Sequence, residues 1–215
     1  GFDAVPGAGS YPAEMWPITV AVRDTYRVRM PRDARTPSAL TLRIGVYESG
    51  SMRQLSAVDP AGNAIGPGPA LIRLRLGAPV LAVAPAARLV FGGQVGLIAA
   101  SLSEHDVRPG DEATGSITWS AVRRPERDYT VFVQMLGPSG VVAQWDAQPL
   151  AGQYPTGLWL PGEVIEDPFR LAIPLSTPPG EYTVIAGLYD VRSMARLATS
   201  DGQDHAVVGR IVVRR

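Results

Sequence analysis

Residues 116–121 read Ser116-Ile117-Thr118-Trp119-Ser120-Ala121, with hydroxyl side chains at the even positions and apolar side chains at the odd positions. Successive side chains of a β-strand point to opposite faces of its sheet, so this alternation predicts a strand with one buried face. The same period of two recurs at residues 26–30, 42–46 and 72–76. No stretch sustains the 3.6-residue period of an amphipathic helix. The sequence therefore predicts an all-β protein.

Turn signals separate the alternating runs, for example at Pro109-Gly110, Pro161-Gly162 and Pro178-Pro179-Gly180. Proline presets the φ angle of a turn and glycine accepts positive φ, so each pair favours a chain reversal. The strands expected for the C-terminal part are residues 94–102, 113–121, 129–136, 140–147, 163–173, 181–190 and 205–213. Seven strands with such turns predict an antiparallel β-sandwich of the immunoglobulin or fibronectin kind.

The composition excludes several classes of function. The chain has 215 residues, of which 46% are hydrophobic and 19% are charged, and its 20 basic and 20 acidic residues cancel. A neutral chain without a basic block gives no electrostatic basis for binding nucleic acid. The sequence contains no cysteine, which excludes disulfides, thiolate metal sites and cysteine nucleophiles. No apolar run reaches the roughly 18 residues of a membrane-spanning helix, so this segment is expected not to span a membrane.

The chain matches itself when it is shifted by 143 residues. Residues 1–32 align without a gap to residues 144–175 with 11 of 32 positions identical, including Trp16 on Trp159 and Asp24 on Asp167. After a one-residue adjustment, residues 37–55 align to residues 179–197 with 7 of 19 identical. Two matches in the same order indicate an internal repeat.

The repeat predicts an incomplete first domain. Residues 1–76 are expected to form a partial β-sandwich (the first copy) that lacks N-terminal strands. Residues 77–87 are expected to form a linker, and residues 88–215 a complete β-sandwich (the second copy). The chain is thus expected to begin inside a domain, either as a fragment or with strands supplied from elsewhere. About three strands cannot cover their own apolar face, so we expect the second copy, a neighbouring chain or upstream residues to cover it.

The most distinctive candidate site is the segment that runs from Tyr154 through Trp159 to Glu163, followed by Asp167. In a glycan-binding site, the aromatic rings would stack on a sugar while the carboxylates accept hydrogen bonds from its hydroxyl groups. In a structural interpretation, Trp159 instead fills one end of the sandwich core, as buried aromatic residues commonly do. The sequence leaves both interpretations open.

Catalytic and cofactor motifs are not recognisable. The chain has only two histidines and contains no G-x-S-x-G, H-E-x-x-H or P-loop motif, each of which would indicate a specific chemistry. Glu166 and Asp167 are adjacent on a predicted strand and point to opposite faces, so they cannot act as a carboxylate pair across one cleft. We predict no catalytic residues, no metal site and no cofactor, and therefore no enzymatic activity.

The second copy resembles a β-sandwich domain at the extracytoplasmic C-terminal end of bacterial polytopic membrane glycosyltransferases of the protein O-mannosyltransferase-like kind. The segments that carry the resemblance are Arg108-Pro109-Gly110-Asp111, Thr118-Trp119, Tyr129–Val133, Gly152–Pro155, Trp159–Glu163, Asp167, Pro178–Tyr182, Gly187–Asp190 and Arg196-Leu197. These positions are framework residues of a sandwich. In such enzymes the catalytic acidic residues lie in the membrane portion, so the resemblance implies no catalytic residue here.

Three functional hypotheses follow. The first is a non-catalytic extracytoplasmic module, at the cell surface or attached to the membrane, that accompanies a glycosyltransferase or another surface protein. The second is a structural subunit of a surface layer or filament, in which a neighbouring chain completes the partial domain. The third is a carbohydrate-binding module, which requires exposed rings at Tyr154 and Trp159. The expected partners are a protein or neighbouring chain that covers the partial domain and, in the third hypothesis, a glycan.

Overall fold

In the computed structural model, the described residues are 2–18, 20–30, 32–78, 80 and 86–215, and Leu71 is described by its backbone alone. The chain divides into two compact units, Gly1–Arg35 and Thr36–Arg215. This division differs from the predicted domains 1–76 and 88–215, because residues 38–76 are bonded to the second copy. Residues 79 and 81–85 of the predicted linker lie outside the described residues.

The described part of the chain is almost entirely β-structure. Its strands, in chain order, are β1 (Ser38–Arg43), β2 (Ala57–Val58), β3 (Ala64–Gly66), β4 (Ala70–Leu76), β5 (Leu89–Phe91), β6 (Val95–Leu102), β7 (Asp106–Val107), β8 (Glu112–Ala121), β9 (Thr130–Gly137), β10 (Gly140–Ala147), β11 (Val164–Ala172), β12 (Gly180–Asp190), β13 (Ala195–Arg196) and β14 (Ala206–Val213). Three short 3₁₀ turns are present, at Gly7–Gly9, Ala13–Met15 and Thr156–Leu158.

Two sheets form the sandwich of the second copy. One has the strand order β10-β9-β12-β14-β7, with β13 attached to β12, and the other has the order β11-β8-β6-β5. All of these pairs are antiparallel except β14 with β7, which is parallel. The prediction of an all-β antiparallel sandwich is confirmed, whereas the finer immunoglobulin-like topology stays a prediction.

The core lies between these sheets and follows the predicted alternation. On β8, Ile117 and Trp119 are fully buried, and on β11 the buried positions Ile165 and Leu171 alternate with exposed ones. The seven strands predicted for the second copy correspond to β6, β8, β9, β10, β11, β12 and β14, each within one residue of the expected bounds. Burial of apolar side chains on alternate positions is therefore what stabilises this fold.

One strand prediction in the first copy is wrong. Residues 26–30 alternate like a strand but have no regular secondary structure. In the second copy four of the five matching residues, 169–172, belong to β11, which pairs along its whole length with β8. The repeat match contains no first-copy counterpart of β8, and an alternating segment without a pairing partner cannot satisfy its backbone hydrogen bonds as a strand.

The segments before β11 and their first-copy counterparts nevertheless share detailed local geometry. Leu150, Ala151 and Gly152 have φ angles of 55°, 52° and 82°, and the matching residues 7–9 have 65°, 53° and 89°. The Trp159 indole donates to the Tyr154 carbonyl oxygen at 2.9 Å, and the Trp16 indole donates to the Tyr11 carbonyl oxygen at 3.1 Å. Positive φ is rare for residues other than glycine, so its occurrence at both Ala8 and Ala151 is strong evidence of equivalent turns.

The β1–β4 pair likewise has the geometry of the β12–β14 pair. Ser38 pairs with Leu76 as Gly180 pairs with Val213, and both pairs contain a register shift at matched positions, after Leu42 and after Val184. The turns that follow are also alike, since Met52 and Met194 both adopt positive φ, at 57° and 58°. In the second copy β12 also pairs with β9 along its other edge. No strand pairs with that edge of β1 among the described residues.

Candidate functional site

A corner of the second-copy sandwich brings together the four residues that were considered as a glycan site. The 3₁₀ turn Thr156–Leu158 turns the chain inward, so that Tyr154 and Trp159 are both fully buried. The Trp159 indole is bonded to the Tyr154 carbonyl oxygen at 2.9 Å. Glu163 and Asp167 are also buried, at 0% and 1% exposure.

Glu163 has a complete set of hydrogen-bond partners. Its Oε2 accepts from the Tyr154 hydroxyl at 2.9 Å and from the Leu160 backbone N–H at 2.8 Å. Its Oε1 is paired with the guanidinium of Arg75, which also donates to the Tyr154 hydroxyl at 3.0 Å. A buried carboxylate is costly unless it is both paired and hydrogen-bonded. Glu163 therefore depends on Arg75, which lies on β4.

This ion pair attaches β4 to the sandwich. A second connection is the hydrogen bond from the Ala39 N–H on β1 to the Gln153 carbonyl oxygen. Between Arg75 and the corner, Gly77 leaves no room for a side chain, because a Cβ there would lie 2.5 Å from Arg75 Nη1 and 2.8 Å from Glu163 Oε1. The strand pair β1–β4 is thus bonded to the second copy at defined points.

Asp167 is buried with a single hydrogen bond. Its Oδ1 accepts from the Leu150 N–H at 2.8 Å, which holds the positive-φ turn in place. Burial raises the pKa of Asp167 to about 6, against the opposing effects of the Leu150 N–H and the Trp119 indole. Among the described groups, neither Asp167 Oδ2 nor Trp119 Nε1 has a hydrogen-bond partner of normal geometry. The matching residue Asp24 is only half-buried, and its pKa is lowered by hydrogen bonds with Tyr26 and the Gly7 N–H.

We expect Asp167→Asn to abolish a pH dependence of stability that the natural chain shows between about pH 4 and pH 6. The folded pKa of about 6 lies above the unfolded value, so the native state binds the proton more tightly. The stability that Asp167 contributes is therefore complete below about pH 4 and is lost as the pH rises through about 6, by roughly 3 kcal/mol. Asparagine keeps the acceptor for Leu150 and does not ionise.

The measurement is the free energy of unfolding in urea at several pH values, taken as the difference between variant and natural chain. Asp24→Asn is the matched control. Because the pKa of Asp24 is lowered, the stability that Asp24 contributes is lost only as the pH falls below about 4, which is a slope of opposite sign in a lower pH range. Parallel stability curves for Asp167→Asn and the natural chain would contradict the prediction.

The glycan interpretation of the corner needs correction. A sugar stacks on an exposed ring face, and Tyr154 and Trp159 have none, since both are at 0% exposure. Glu163 and Asp167 are equally enclosed and already bonded within the protein. These four side chains fill and fasten the sandwich corner, so none of them is accessible to a glycan in this conformation.

An exposed apolar surface lies elsewhere in this unit, on the strands β1 and β4 and on residues 44–46, which follow β1. We call it the open face; its residues are Leu40, Leu42, Ile44, Val46, Ile72, Leu74 and Leu76. Cross-strand pairing places Leu40 beside Leu74 and Leu42 beside Ile72, so these side chains share one face of the pair. Exposure reaches 44% at Ile44, 46% at Val46 and 52% at Ile72.

The second copy shows what this face becomes when a second sheet covers it. Ile44 and Val46 match Ala186 and Leu188, both at 0% exposure, and Leu74, at 38%, corresponds to the fully buried Ile211. The sequence predicts that the second copy, a neighbouring chain or upstream residues cover the apolar face of the partial domain. The second copy does not cover Ile44, Val46 or Leu74. A contiguous exposed apolar surface is typical of an interaction site.

Two further observations concern the described residues. They contain no group of three or more histidine, aspartate and glutamate side chains arranged to hold a metal ion. Nor does any helix within the described ranges have the length and hydrophobicity of a transmembrane segment.

Arg75 is the important residue that sequence reasoning missed. It stands on the polar side of an alternating strand, where an arginine is ordinarily solvated. Its partner Glu163 is 88 positions away. No local pattern links two residues at such a distance.

Comparisons with known proteins give weak structural similarities. No family model matches the chain, and no curated protein matches it. Among solved structures, the C-terminal domain of Wzt is similar at a TM-score of 0.44 and 12% identity, over 61% of this chain and 82% of that one. The sporulation control protein Spo0M of Bacillus subtilis is similar at a TM-score of 0.39 and 19% identity, over 57% of this chain.

The CARDB domain of the Pyrococcus furiosus PF1109 protein, solved in complex with di-metal ions, has a TM-score of 0.34 and 14% identity, over 63% of this chain and 96% of that chain. The matched region spans half of the length of Spo0M. Similarities at this level assign no ligand and no activity to this chain.

Proposed function

We propose that this chain is a non-catalytic β-sandwich module that acts by binding another polypeptide. The observation that carries this function is the open face: Ile44, Val46 and Leu74 are exposed, whereas their second-copy counterparts are buried. Leaving such a face in water forgoes about 25 cal/mol of stabilisation for each Å² of apolar surface. A bound polypeptide would recover that stabilisation.

The proposed setting is extracytoplasmic, beside a bacterial membrane glycosyltransferase or another surface protein. The sequence resemblance of residues 91–213 to the C-terminal domains of such enzymes supports it. In this setting the module positions or docks the enzyme and takes no part in the transfer of sugar. The enclosed state of Glu163 and Asp167 is consistent with a structural role for the carboxylates of the sandwich.

The test uses the chain with a photo-crosslinking amino acid in place of Ile72, produced in the bacterium that encodes it. Leu175, which is 84% exposed on the second copy, is the control position. We expect a crosslink to one envelope protein from position 72 and none from position 175. Equal crosslinking at both positions, or none at either, would contradict the proposal. So would sugar transfer from a polyprenyl-phosphate donor by the purified chain alone.

A structural subunit of a surface layer or filament is the second candidate, and the same open face favours it. In that case the crosslinked partner would be another copy of this chain. Sedimentation of the purified chain separates the two candidates, because a subunit of this kind assembles with itself at high concentration. A chain that stays monomeric would exclude the filament.

A further inference from the structure

The edge of β1 that faces away from β4, together with residues 44–47 that follow the strand, has a defined counterpart in the second copy. Residues 41–47 match residues 183–189, with identical residues at Thr41, Gly45 and Tyr47. In the second copy this segment pairs with β9 in a regular antiparallel ladder, from Thr183 opposite Leu136 to Tyr189 opposite Thr130. In sequence, residues 41–47 therefore match a strand with partners on both edges. In the structure, no strand among the described residues pairs with their edge that faces away from β4.

Backbone geometry is suited to the addition of a strand there. The Ala39 N–H donates to the Gln153 carbonyl oxygen, whereas the Ile44 N–H donates to the Pro69 carbonyl oxygen next to β4. Successive N–H groups of a strand point to opposite sides, so the N–H groups of residues 41, 43 and 45 point away from β4. An exposed row of this kind is a template for β-augmentation.

Gly45 indicates the side chain that the added strand would carry. In the second copy, the ring of Phe132 on β9 lies over the matching Gly187, where an added Cβ would come within 2.5 Å of the ring atom Cζ. Phe132 also contacts Tyr189, at 6.4 Å between ring centroids. The Arg196 guanidinium also stacks on that ring, at 4.2 Å from its centroid. The first copy keeps two of these three neighbours, as Gly45 and Tyr47, and has Gln54 where the second copy has Arg196. Nothing described lies closer than 3.5 Å to an added Cβ at Gly45.

We infer that the edge formed by residues 41–47 binds an antiparallel β-strand of another polypeptide that carries an aromatic residue opposite Gly45. On either side of that residue the strand has β-branched or other apolar side chains, which turn toward Ile44 and Val46. This pattern is that of β9, in which Val131 and Val133 are fully buried on either side of Phe132. The inference rests on the proposed function and specifies the class of partner.

The test is binding of a synthetic peptide with the sequence of residues 129–138 to the whole chain, measured by fluorescence anisotropy. We expect saturable binding, together with slower hydrogen exchange at the amides of residues 41, 43 and 45. A peptide carrying Phe132→Ala should bind at least about tenfold more weakly, which corresponds to roughly 1.4 kcal/mol.

Gly45→Val in the chain occupies the space reserved for the ring and should weaken binding of the unmodified peptide by at least about tenfold. Gly50→Val is the matched control, because Gly50 has no atom within 4 Å of an added Cβ, and its binding should be unchanged. Absence of binding at about 1 mM peptide, binding without exchange protection at residues 41–45, or unchanged binding by Gly45→Val would each overturn the inference. If any of these contradicting results is obtained while position 72 still crosslinks to a single partner, the inference of strand addition is wrong and the proposed function stands.

Discussion

Trp159→Ala is expected to lower the free energy of unfolding of the unit Thr36–Arg215 by about 4 kcal/mol, within the range for truncation of a fully buried tryptophan. Trp159 has 0% exposure, and its indole N–H is bonded to the Tyr154 carbonyl oxygen. Alanine leaves a cavity and deprives that buried carbonyl of its donor. Two of the mechanisms that produce large mutational effects therefore act at once.

Trp16→Ala is the matched control for Trp159. Trp16 makes the same local hydrogen bond, to the Tyr11 carbonyl oxygen at 3.1 Å, but is only half-buried. We expect its replacement to leave the unfolding of Thr36–Arg215 within about 0.5 kcal/mol of the natural chain, as for substitutions away from the core. Urea titration followed by far-ultraviolet circular dichroism measures both variants. Equal losses at Trp159 and Trp16 would contradict the prediction that the full burial of Trp159 causes its larger effect.

Arg75→Met is expected to lower the free energy of unfolding of the same unit by about 3 kcal/mol, at the lower end of the range for breaking a buried ion pair. The change leaves Glu163, at 0% side-chain exposure, without its only charged partner among the described residues. The hydrogen bonds from Tyr154 and Leu160 remain and reduce the penalty. The Arg75 side chain is itself 31% exposed, so the loss of its own packing contacts adds little to the destabilisation.

Arg73→Met provides the comparison on the same strand. Arg73 pairs with Asp128 at 3.5 Å, with both side chains more than a third exposed, and an exposed pair contributes only about 0.5 kcal/mol. Replacing both members of the buried pair, Arg75→Met with Glu163→Met, should recover much of the loss, because two apolar side chains leave no unpaired charge. Urea titrations of the single and double variants measure this coupling. Additive losses in the double variant would show that Arg75 and Glu163 stabilise the fold independently.

The two predictions concern different features of the same corner. Trp159 tests the packing that closes the end of the sandwich, whereas Arg75 tests the bond that joins β4 to it. If Arg75→Met also increases the exposure of β1 and β4 to hydrogen exchange, the ion pair is what holds the open face in its observed place. That result would link the stability of the corner to the interaction proposed for the open face.

The strands of the second copy could be predicted well because the alternation of apolar and polar residues follows directly from which side chains are buried. Residues 116–121 and 163–173 alternate between apolar and polar or exposed positions, and the observed β8 and β11 bury the expected apolar sets. Short strands were harder to foresee. β5, β7 and β13, of two or three residues each, contain too few positions to show a period, and only pairing with a neighbour defines them.

The glycan hypothesis shows that residue types alone do not distinguish a binding site from a buried structural corner. Tyr154, Trp159, Glu163 and Asp167 have the chemistry of a sugar site, and that same chemistry builds a buried corner. Which of these a segment forms depends on whether a second sheet covers it. Asp24 and Asp167 illustrate this, because these matched residues have pKa shifts of opposite sign. Burial dominates at Asp167 and hydrogen bonding at Asp24.

By itself, the sequence determined the all-β class, the strands of the second copy and the match between residues 1–55 and 144–197, because periodicity, turn residues and identity are local properties. The tertiary structure alone decided which polar groups are enclosed, that Arg75 reaches Glu163, and that the open face of β1 and β4 remains exposed. Those outcomes depend on which strands lie across from one another, since pairing and burial are set by contacts between residues far apart in the chain.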